Sequence, residues 1–120
     1  MKTRYVISRY SGTRRETRFN VRVARYMAKK LIDDGYMPVV PHIYFTQFLD
    51  DRNYYGRKQG TEAAMELLKN CNKAIVVIVD GVISEGMKEE IAYAIELNMP
   101  IRYVKYKKDE LKKLLRKNGV

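Results

Sequence analysis

The sequence has little cysteine and no long apolar run. Cys71 is the only cysteine among 120 residues, which excludes an internal disulfide and a cysteine-rich metal cluster. The longest apolar run is far too short to cross a membrane, and the first residues lack the apolar stretch of a signal peptide. We therefore expect a cytoplasmic protein without a membrane segment, and we expect Cys71 to pack in the interior.

Several nucleotide-binding motifs are also missing. The glycine spacings of a P-loop and of a dinucleotide fingerprint do not occur, and there are no internal repeats, linkers or low-complexity segments. With 120 residues, the chain has the length of one domain with a real core, so we expect a single domain over residues 1–120. Neither a metal nor an organic cofactor is predicted.

Acidic residues are scarce relative to basic ones, and the formal net charge is +10. Residues 1–30 hold ten Lys or Arg, and residues 105–117 hold seven more. This balance suits anionic ligands, from nucleotides to nucleic acid, although a solvated basic surface that confers solubility is the simpler explanation. The ten tyrosines do not alternate with basic residues as in an RNA-binding sheet, so unspecific nucleic-acid binding is possible but no motif supports it.

The apolar pattern predicts an α/β fold. Residues 74–79 form an unbroken, β-branched run that suits a strand buried on both faces. Three further strands are predicted at 4–8, 37–40 and 99–104, and helices at 17–34, 59–71, from about 86, and 107–117. The expected architecture is a flavodoxin-like (Rossmann-like) three-layer sandwich with a parallel sheet of order 2-1-3-4.

The helix that follows the central strand contains one unusual carboxylate. Ser84 is a natural N-cap for this helix. At helical spacing Glu89 should face solvent, whereas Glu90 should lie at the border of the buried face near the helix N-terminus. The residues expected on the buried face are Met87, Ile91, Ala94 and Ile95.

The pattern Ser84-x-Gly86-x-x-x-Glu90-x-Ala92-x-Ala94 resembles the signature of the nucleoside 2-deoxyribosyltransferase superfamily. The resemblance implies that Glu90 is the nucleophile that attacks the anomeric carbon and that Ser84 contacts sugar or phosphate. Residues 40–51 and 83–87 are similar to small phage and bacterial domains usually placed in the same superfamily. Together the similarities cover about residues 4–104. They imply that Gly86 and Met87 also contact the substrate.

The loop at residues 9–15 is polar, contains glycine and leads into a helix N-terminus. Backbone N–H groups, the helix dipole and the guanidinium groups of Arg14 and Arg15 all favour a phosphate there. In the superfamily the matching loop holds the sugar and, in nucleotide-specific members, the 5′-phosphate. Tyr10 and Gly12 match the phage-type pattern, whereas Arg9 stands where those domains usually carry proline.

Residues 41–59 have no clear periodicity and are rich in aromatic side chains, which is typical of a lid or an interface. We therefore expect a homo-oligomer, either a two-fold dimer or a multiple of dimers. His42 should lie on the rim of the site, and it matches a histidine of nucleotide-specific relatives. The binding residues thus include His42.

The sequence departs from the active enzymes at one position. The resemblance places Ala64 where those enzymes carry an aspartate. Asp80, Asp50 or Asp51 would have to act as the acid instead, and we expect Asp80 to do so. Those enzymes also carry a catalytic tyrosine in the loop after the first strand. This loop has no exact match to it here, although Tyr5 or Tyr10 can substitute.

Two functions remain open. One is an N-glycosidase or deoxyribosyltransferase acting on nucleosides or nucleotides. The other is a non-catalytic protein that binds a nucleotide in the same pocket, either sequestering or sensing it.

Overall fold

A computed structural model describes residues 1–50 and 52–120, so Asp51, one of the candidate acids, lies outside the described residues. Four strands and five helices alternate along most of the chain. In order they are β1 (Thr3–Ile7), α1 (Arg14–Asp33), β2 (Met37–Val39), α2 (Pro41–Tyr44), α3 (Tyr54–Lys69), β3 (Lys73–Val79), α4 (Glu85–Glu96), β4 (Ile101–Tyr106) and α5 (Lys108–Asn118). A short 3₁₀ helix, Phe45–Gln47, follows α2.

The four strands form one parallel sheet in the order β2-β1-β3-β4. This order confirms the predicted flavodoxin-like α/β fold. In β3 the run from Ala74 to Ile78 is buried, as expected for a central strand that is covered on both faces. The order of the strands changes direction between β1 and β3, and this is where ligands bind in open α/β sheets.

Two helical layers cover the sheet, and each has its own core. One layer consists of α1 and α5, whose apolar faces pack against Val6, Ile75 and Val77. The other consists of α3 and α4, which pack against Tyr5, Ile7, Ala74, Val76 and Ile78. Because neighbouring side chains of a strand point to opposite faces, the odd-numbered residues of β1 face α3 and α4, and the even-numbered Val6 faces α1 and α5.

Several details of the prediction are wrong. Helix α1 begins at Arg14 rather than at residue 17, and β4 spans Ile101–Tyr106 rather than residues 99–104. Helix α3 begins at Tyr54, five residues earlier than expected, because the Asn53 side chain accepts a hydrogen bond from the Gly56 N–H and caps the helix there. Ile95 is 60% exposed rather than buried. Cys71 is only half-buried, since α3 ends at Lys69 and the cysteine follows the helix.

The buried face of α4 is rotated towards Glu90, which explains the position of Ile95. Met87 and Ala94 are almost completely buried, and Glu90 is only 6% exposed. At helical spacing these three residues share one arc, and Ile95 lies about a quarter of a turn beyond its centre. Glu89 faces solvent as predicted.

The segment predicted to be irregular contains two short helical turns. Pro41 occupies the first turn of α2, where its missing N–H costs no hydrogen bond. The aromatic rings of Tyr44, Phe45 and Phe48 contact one another at centroid distances of 5.2–6.0 Å. Within the described part of the chain, no helix has both the length and the apolar character needed to cross a membrane.

Candidate active site at the end of strands one and three

A cavity of about 330 Å³ opens at the carboxyl edge of the sheet, on the side covered by α3 and α4. Its size lies within the range of small-molecule sites. The loop after β1 supplies Tyr10 and Ser11, and the start of α4 supplies Ser84 and Glu90. The opposite wall comes from α2, the 3₁₀ helix and α3. The cavity therefore lies where the change of strand direction places a ligand site.

The cavity exists because one face of α3 carries small residues. Gly56, Gly60 and Ala64 follow each other at a spacing of four, so they share one side of the helix, and all three line the cavity. Leu68 continues the row and is completely buried under it. A Cβ atom added at Gly60 would have its nearest neighbour, Leu49 Cδ1, at 3.8 Å. The small side chains thus leave open the space that larger ones would fill.

Glu90 is a buried carboxylate in the wall of this cavity, and two side chains from distant parts of the chain contact it. The hydroxyl group of Tyr5, at the centre of β1, donates a hydrogen bond to Glu90 Oε2. The Nε2 atom of His42 lies 3.8 Å from Glu90 Oε1. The hydrogen bond from Tyr5 therefore orients the carboxylate, and its other oxygen faces His42.

Burial changes the acidity of Glu90. Removal of the carboxylate from water raises its pKa to about 7, the hydrogen bond from Tyr5 opposes the rise, and the charge of Glu89 adds to it. Burial, together with the charge and the hydrogen bond of Glu90, raises the pKa of Tyr5 far above its usual range, so Tyr5 remains a donor at all ordinary pH values. The carboxylate can therefore change its charge near neutrality.

His42 and Tyr10 form one side of the entrance. Their rings stack with a centroid distance of 5.4 Å and an interplanar angle of 24°. The stack joins the loop after β1 to α2, and it holds the imidazole over Glu90. Both residues were predicted for the site, and both line the cavity.

Ser84 caps α4, as its sequence position predicted. Its Oγ accepts a hydrogen bond of 3.3 Å from the Met87 N–H, and its hydroxyl proton is left for another acceptor. Ser84, Gly86 and Met87 all line the cavity, although Met87 is almost entirely buried. The predicted motif therefore surrounds the same space as Glu90.

The other predicted residues do not line this cavity. Arg14 and Arg15 occupy the first turn of α1 and are exposed, and Gly12 lies under the side chain of Glu16. Asp80 lines a second, smaller cavity, and its Oδ1 accepts a hydrogen bond from the Lys108 N–H. Asp80 therefore connects the end of β3 to the start of α5, away from Glu90.

Two lining residues were missed from the sequence. Among the described residues that line the cavity, two are basic: His42 and Arg57, which lies on α3. Its only sequence signal is its place one position after Gly56. Ser8 directly follows β1 and borders both cavities, and its buried hydroxyl has no hydrogen-bond partner among the described residues. No periodicity distinguishes this serine from a surface residue.

Acidic, histidine and cysteine side chains do not gather elsewhere into a metal site. Across residues 1–50 and 52–120, no three of them lie close enough together to hold an ion.

Comparison with known proteins agrees with this architecture. A solved structure of a 2-deoxyribosyltransferase from Bacillus psychrosaccharolyticus superposes with a TM-score of 0.70 at 14% sequence identity, covering 86% of this chain and 72% of that chain. The fold is therefore 2-deoxyribosyltransferase-like. No curated protein matches the sequence. The family model described as a domain of unknown function, DUF7768, matches residues 2–104. The chain therefore belongs to the DUF7768 family.

Proposed function

We propose that the protein cleaves the N-glycosidic bond of a nucleoside or nucleotide, with Glu90 as the nucleophile. The observation that supports this most strongly is a buried carboxylate in the wall of a cavity at the carboxyl edge of the sheet, held by a hydrogen bond from Tyr5 and faced by His42. The similarity to the fold of a 2-deoxyribosyltransferase supports the same class of substrate.

In the proposed reaction an ionised Glu90 oxygen attacks the anomeric carbon. The bond between that carbon and the base nitrogen breaks, and its electron pair leaves with the base, which takes up a proton. Attack by water on the glycosyl ester then releases the sugar and restores the carboxylate. A second base in place of water would complete a transfer. Tyr5 holds one carboxylate oxygen by its hydrogen bond and leaves the other to react.

The leaving base needs a proton donor, and we assign that step to His42. Ala64 lines the cavity where the resemblance requires an acid, and an alanine cannot give a proton. His42 lines the same cavity and faces Glu90 at 3.8 Å. Asp80 borders the second cavity instead, where its carboxylate accepts the Lys108 N–H.

Ala64 also favours a second function, the binding of a nucleotide without turnover. In that case Glu90 accepts hydrogen bonds from the sugar hydroxyls, and the cavity sequesters or senses its ligand. Arg57, Ser11 and Ser84 are among the lining side chains that can donate hydrogen bonds to a phosphate.

Release of free base separates the two functions. We expect wild-type protein at pH 7.5 to release base from at least one member of a panel of nucleosides and monophosphates, followed by chromatography. Glu90→Gln should lower that rate by about 1000-fold or more, because the amide cannot form the glycosyl ester, while ligand affinity measured by calorimetry remains.

Glu96→Gln is the matched control, since Glu96 lies on the same helix, is exposed and does not line the cavity. It should leave the rate unchanged. Saturated binding with no free base from any member of the panel would reject the glycosidase and leave the binding protein.

We also propose a homo-oligomer formed through the aromatic segment. Tyr44, Phe48, Tyr54 and Tyr55 are between 60% and 72% exposed, and they adjoin the wall of the cavity. A second copy of the chain would remove these rings from water. Light scattering at micromolar concentration should give at least twice the chain mass of 14.1 kDa. A stable particle of one chain mass would contradict this.

A further inference from the structure

The outer surface of α1 carries a row of basic side chains. Residues 15, 18, 22, 25 and 29 are Arg, Arg, Arg, Arg and Lys. With 3.6 residues per turn they lie within about 80° of arc, and with a rise of about 1.5 Å per residue they extend over roughly 21 Å. We call these five residues the α1 basic row. It lies opposite the face that Val23, Met27 and Leu31 bury against the sheet.

The row is not neutralised within the described residues 1–50 and 52–120. None of its members forms an ion pair with an acidic side chain there, although the half-buried Arg22 donates a hydrogen bond of 2.8 Å from Nε to the Val120 oxygen. Each neighbouring pair in the row has a spacing of three or four residues, at which like charges destabilise a helix. The chain therefore maintains a repulsive arrangement that a polyanion would relieve.

Helix α5 enlarges this charged surface. It packs beside α1 on the same face of the sheet and exposes Lys112, Lys113, Arg116 and Lys117. Together α1 and α5 contain twelve basic and four acidic residues, whereas α3 and α4 contain four and six. The positive charge is thus concentrated on the side of the molecule away from the cavity.

The chemistry of this surface indicates its partner. On α1 and α5, both described in full, Ile32 is the one large apolar side chain that is exposed. A single such residue is too few for insertion into a membrane. It also lacks an exposed aromatic ring on which a base of a single strand could stack. A rigid line of cations without either feature fits a regular row of phosphates.

We propose that the α1 basic row binds the phosphodiester backbone of a nucleic-acid duplex without reading its sequence. A duplex carries one negative charge per about 1.7 Å of its axis when both strands are counted, so the length of the row spans about twelve phosphates, and those on the near side can contact it. This interaction is independent of the cavity and of any reaction at Glu90.

The test is fluorescence anisotropy with a labelled duplex of about 25 base pairs, titrated at several salt concentrations. For about four phosphate contacts, the slope of log affinity against log salt should be near −3.6, which weakens binding roughly 150-fold between 50 and 200 mM salt. The double variant Arg18→Gln/Arg25→Gln should reduce the magnitude of the slope by about 2, one for each contact removed.

The matched control is Lys58→Gln/Lys69→Gln, which removes two exposed charges from α3 on the opposite layer. It should leave the slope unchanged. Equal slopes for the two double variants, or absence of salt-dependent binding by wild-type protein, would overturn the proposal. Circular dichroism of each variant verifies that its total helix content equals that of the wild-type protein.

Two further ligands test the identity of the partner. A single strand of the same length should bind at least about tenfold more weakly than the duplex, because fewer phosphates face the row at one time. Vesicles containing one third phosphatidylserine should also bind more weakly. Tighter binding of either ligand than of the duplex would overturn the assignment.

Discussion

The two helical layers use the same spacing in opposite ways. Along α1, a row of large residues at every fourth position fills the space over the sheet; they are Phe19, Val23, Met27 and Leu31. Along α3, the equivalent row begins with small residues and leaves the cavity open; it consists of Gly56, Gly60, Ala64 and Leu68. The size of the side chains on one helical face thus decides which side of a parallel sheet can hold a ligand.

The charges follow the same division. The filled layer borders the smaller cavity at Asp80, and its outer surface is basic. The open layer places a deeply buried carboxylate, that of Glu90, beside the larger cavity. If this comparison is correct, changes in the open layer should alter ligand chemistry and pH dependence, and changes in the filled layer should alter response to salt.

The largest expected effect is on the pH dependence of stability. Glu90 has a pKa of about 7 in the folded protein, against about 4.5 unfolded, so the folded state binds more protons between these values. The contribution of Glu90 to the free energy of unfolding should be highest below about pH 4.5. It should fall by roughly 3 kcal/mol as the pH rises from there through 7. Glu90→Gln should abolish that fall in urea titrations at several pH values.

Glu96→Gln should retain the fall, because that carboxylate is exposed. Because an imidazole side chain can also change its charge in this pH range, the wild-type residue and Glu90→Gln should also be compared in proteins that carry the His42→Gln change. Parallel pH curves for wild-type protein and Glu90→Gln would contradict the burial of an ionisable Glu90.

The next effect concerns the glycines of the open layer. A Cβ atom at Gly56 would overlap the Asp50 carbonyl oxygen and lie 2.7 Å from the carbonyl carbon, so Gly56→Ala should lower the free energy of unfolding by about 2 kcal/mol. Gly60→Ala should raise it by about 0.5–1 kcal/mol, because that Cβ enters open space within a helix. Thermal unfolding followed by circular dichroism measures both. Equal changes would mean that the two glycines do not differ in packing.

The smallest effect belongs to the filled layer. Arg18 lies three or four residues from Arg14, Arg15 and Arg22, so Arg18→Gln should stabilise the protein by about 0.5 kcal/mol at low salt. The gain should disappear near 1 M salt, where charges are screened within about 3 Å. Lys58→Gln should have the opposite sign, since Glu62 lies four residues away on α3. Loss of stability in Arg18→Gln at low salt would show that the row is not repulsive.

The sequence was sufficient for the architecture because the strand order follows from local patterns. The buried run of β3, the amphipathic α1 and right-handed crossovers lead to one arrangement, and the structure has it. The start of α3 was harder to predict, since Tyr54 and Tyr55 resemble the aromatic segment before them. The Asn53 cap, rather than hydrophobic periodicity, fixes that boundary.

The candidate site could be predicted only in part. The motif located Ser84, Gly86 and Glu90 at one end of the sheet, and they line one cavity. The partners of Glu90 could not be derived, because Tyr5 is 85 positions away and its contact depends on the register of β1 against the rest of the fold. Arg14 and Arg15 were expected to point to a ligand, but the capping box of Thr13 and Glu16 begins the helix before them and leaves them in solvent.

The close contact at Gly56 has a consequence for how this protein can diverge. The wall formed by residues 41–50 is joined to β2 at Pro41 and rests on α3 where the Asp50 carbonyl meets Gly56. Between these two fixed points, substitutions can reshape the wall without displacing β1 or α4, which hold Tyr5 and Glu90. Apart from His42, which faces Glu90, the wall can therefore change its shape during evolution without disturbing the contact between Tyr5 and Glu90, with Gly56 as the position that anchors it.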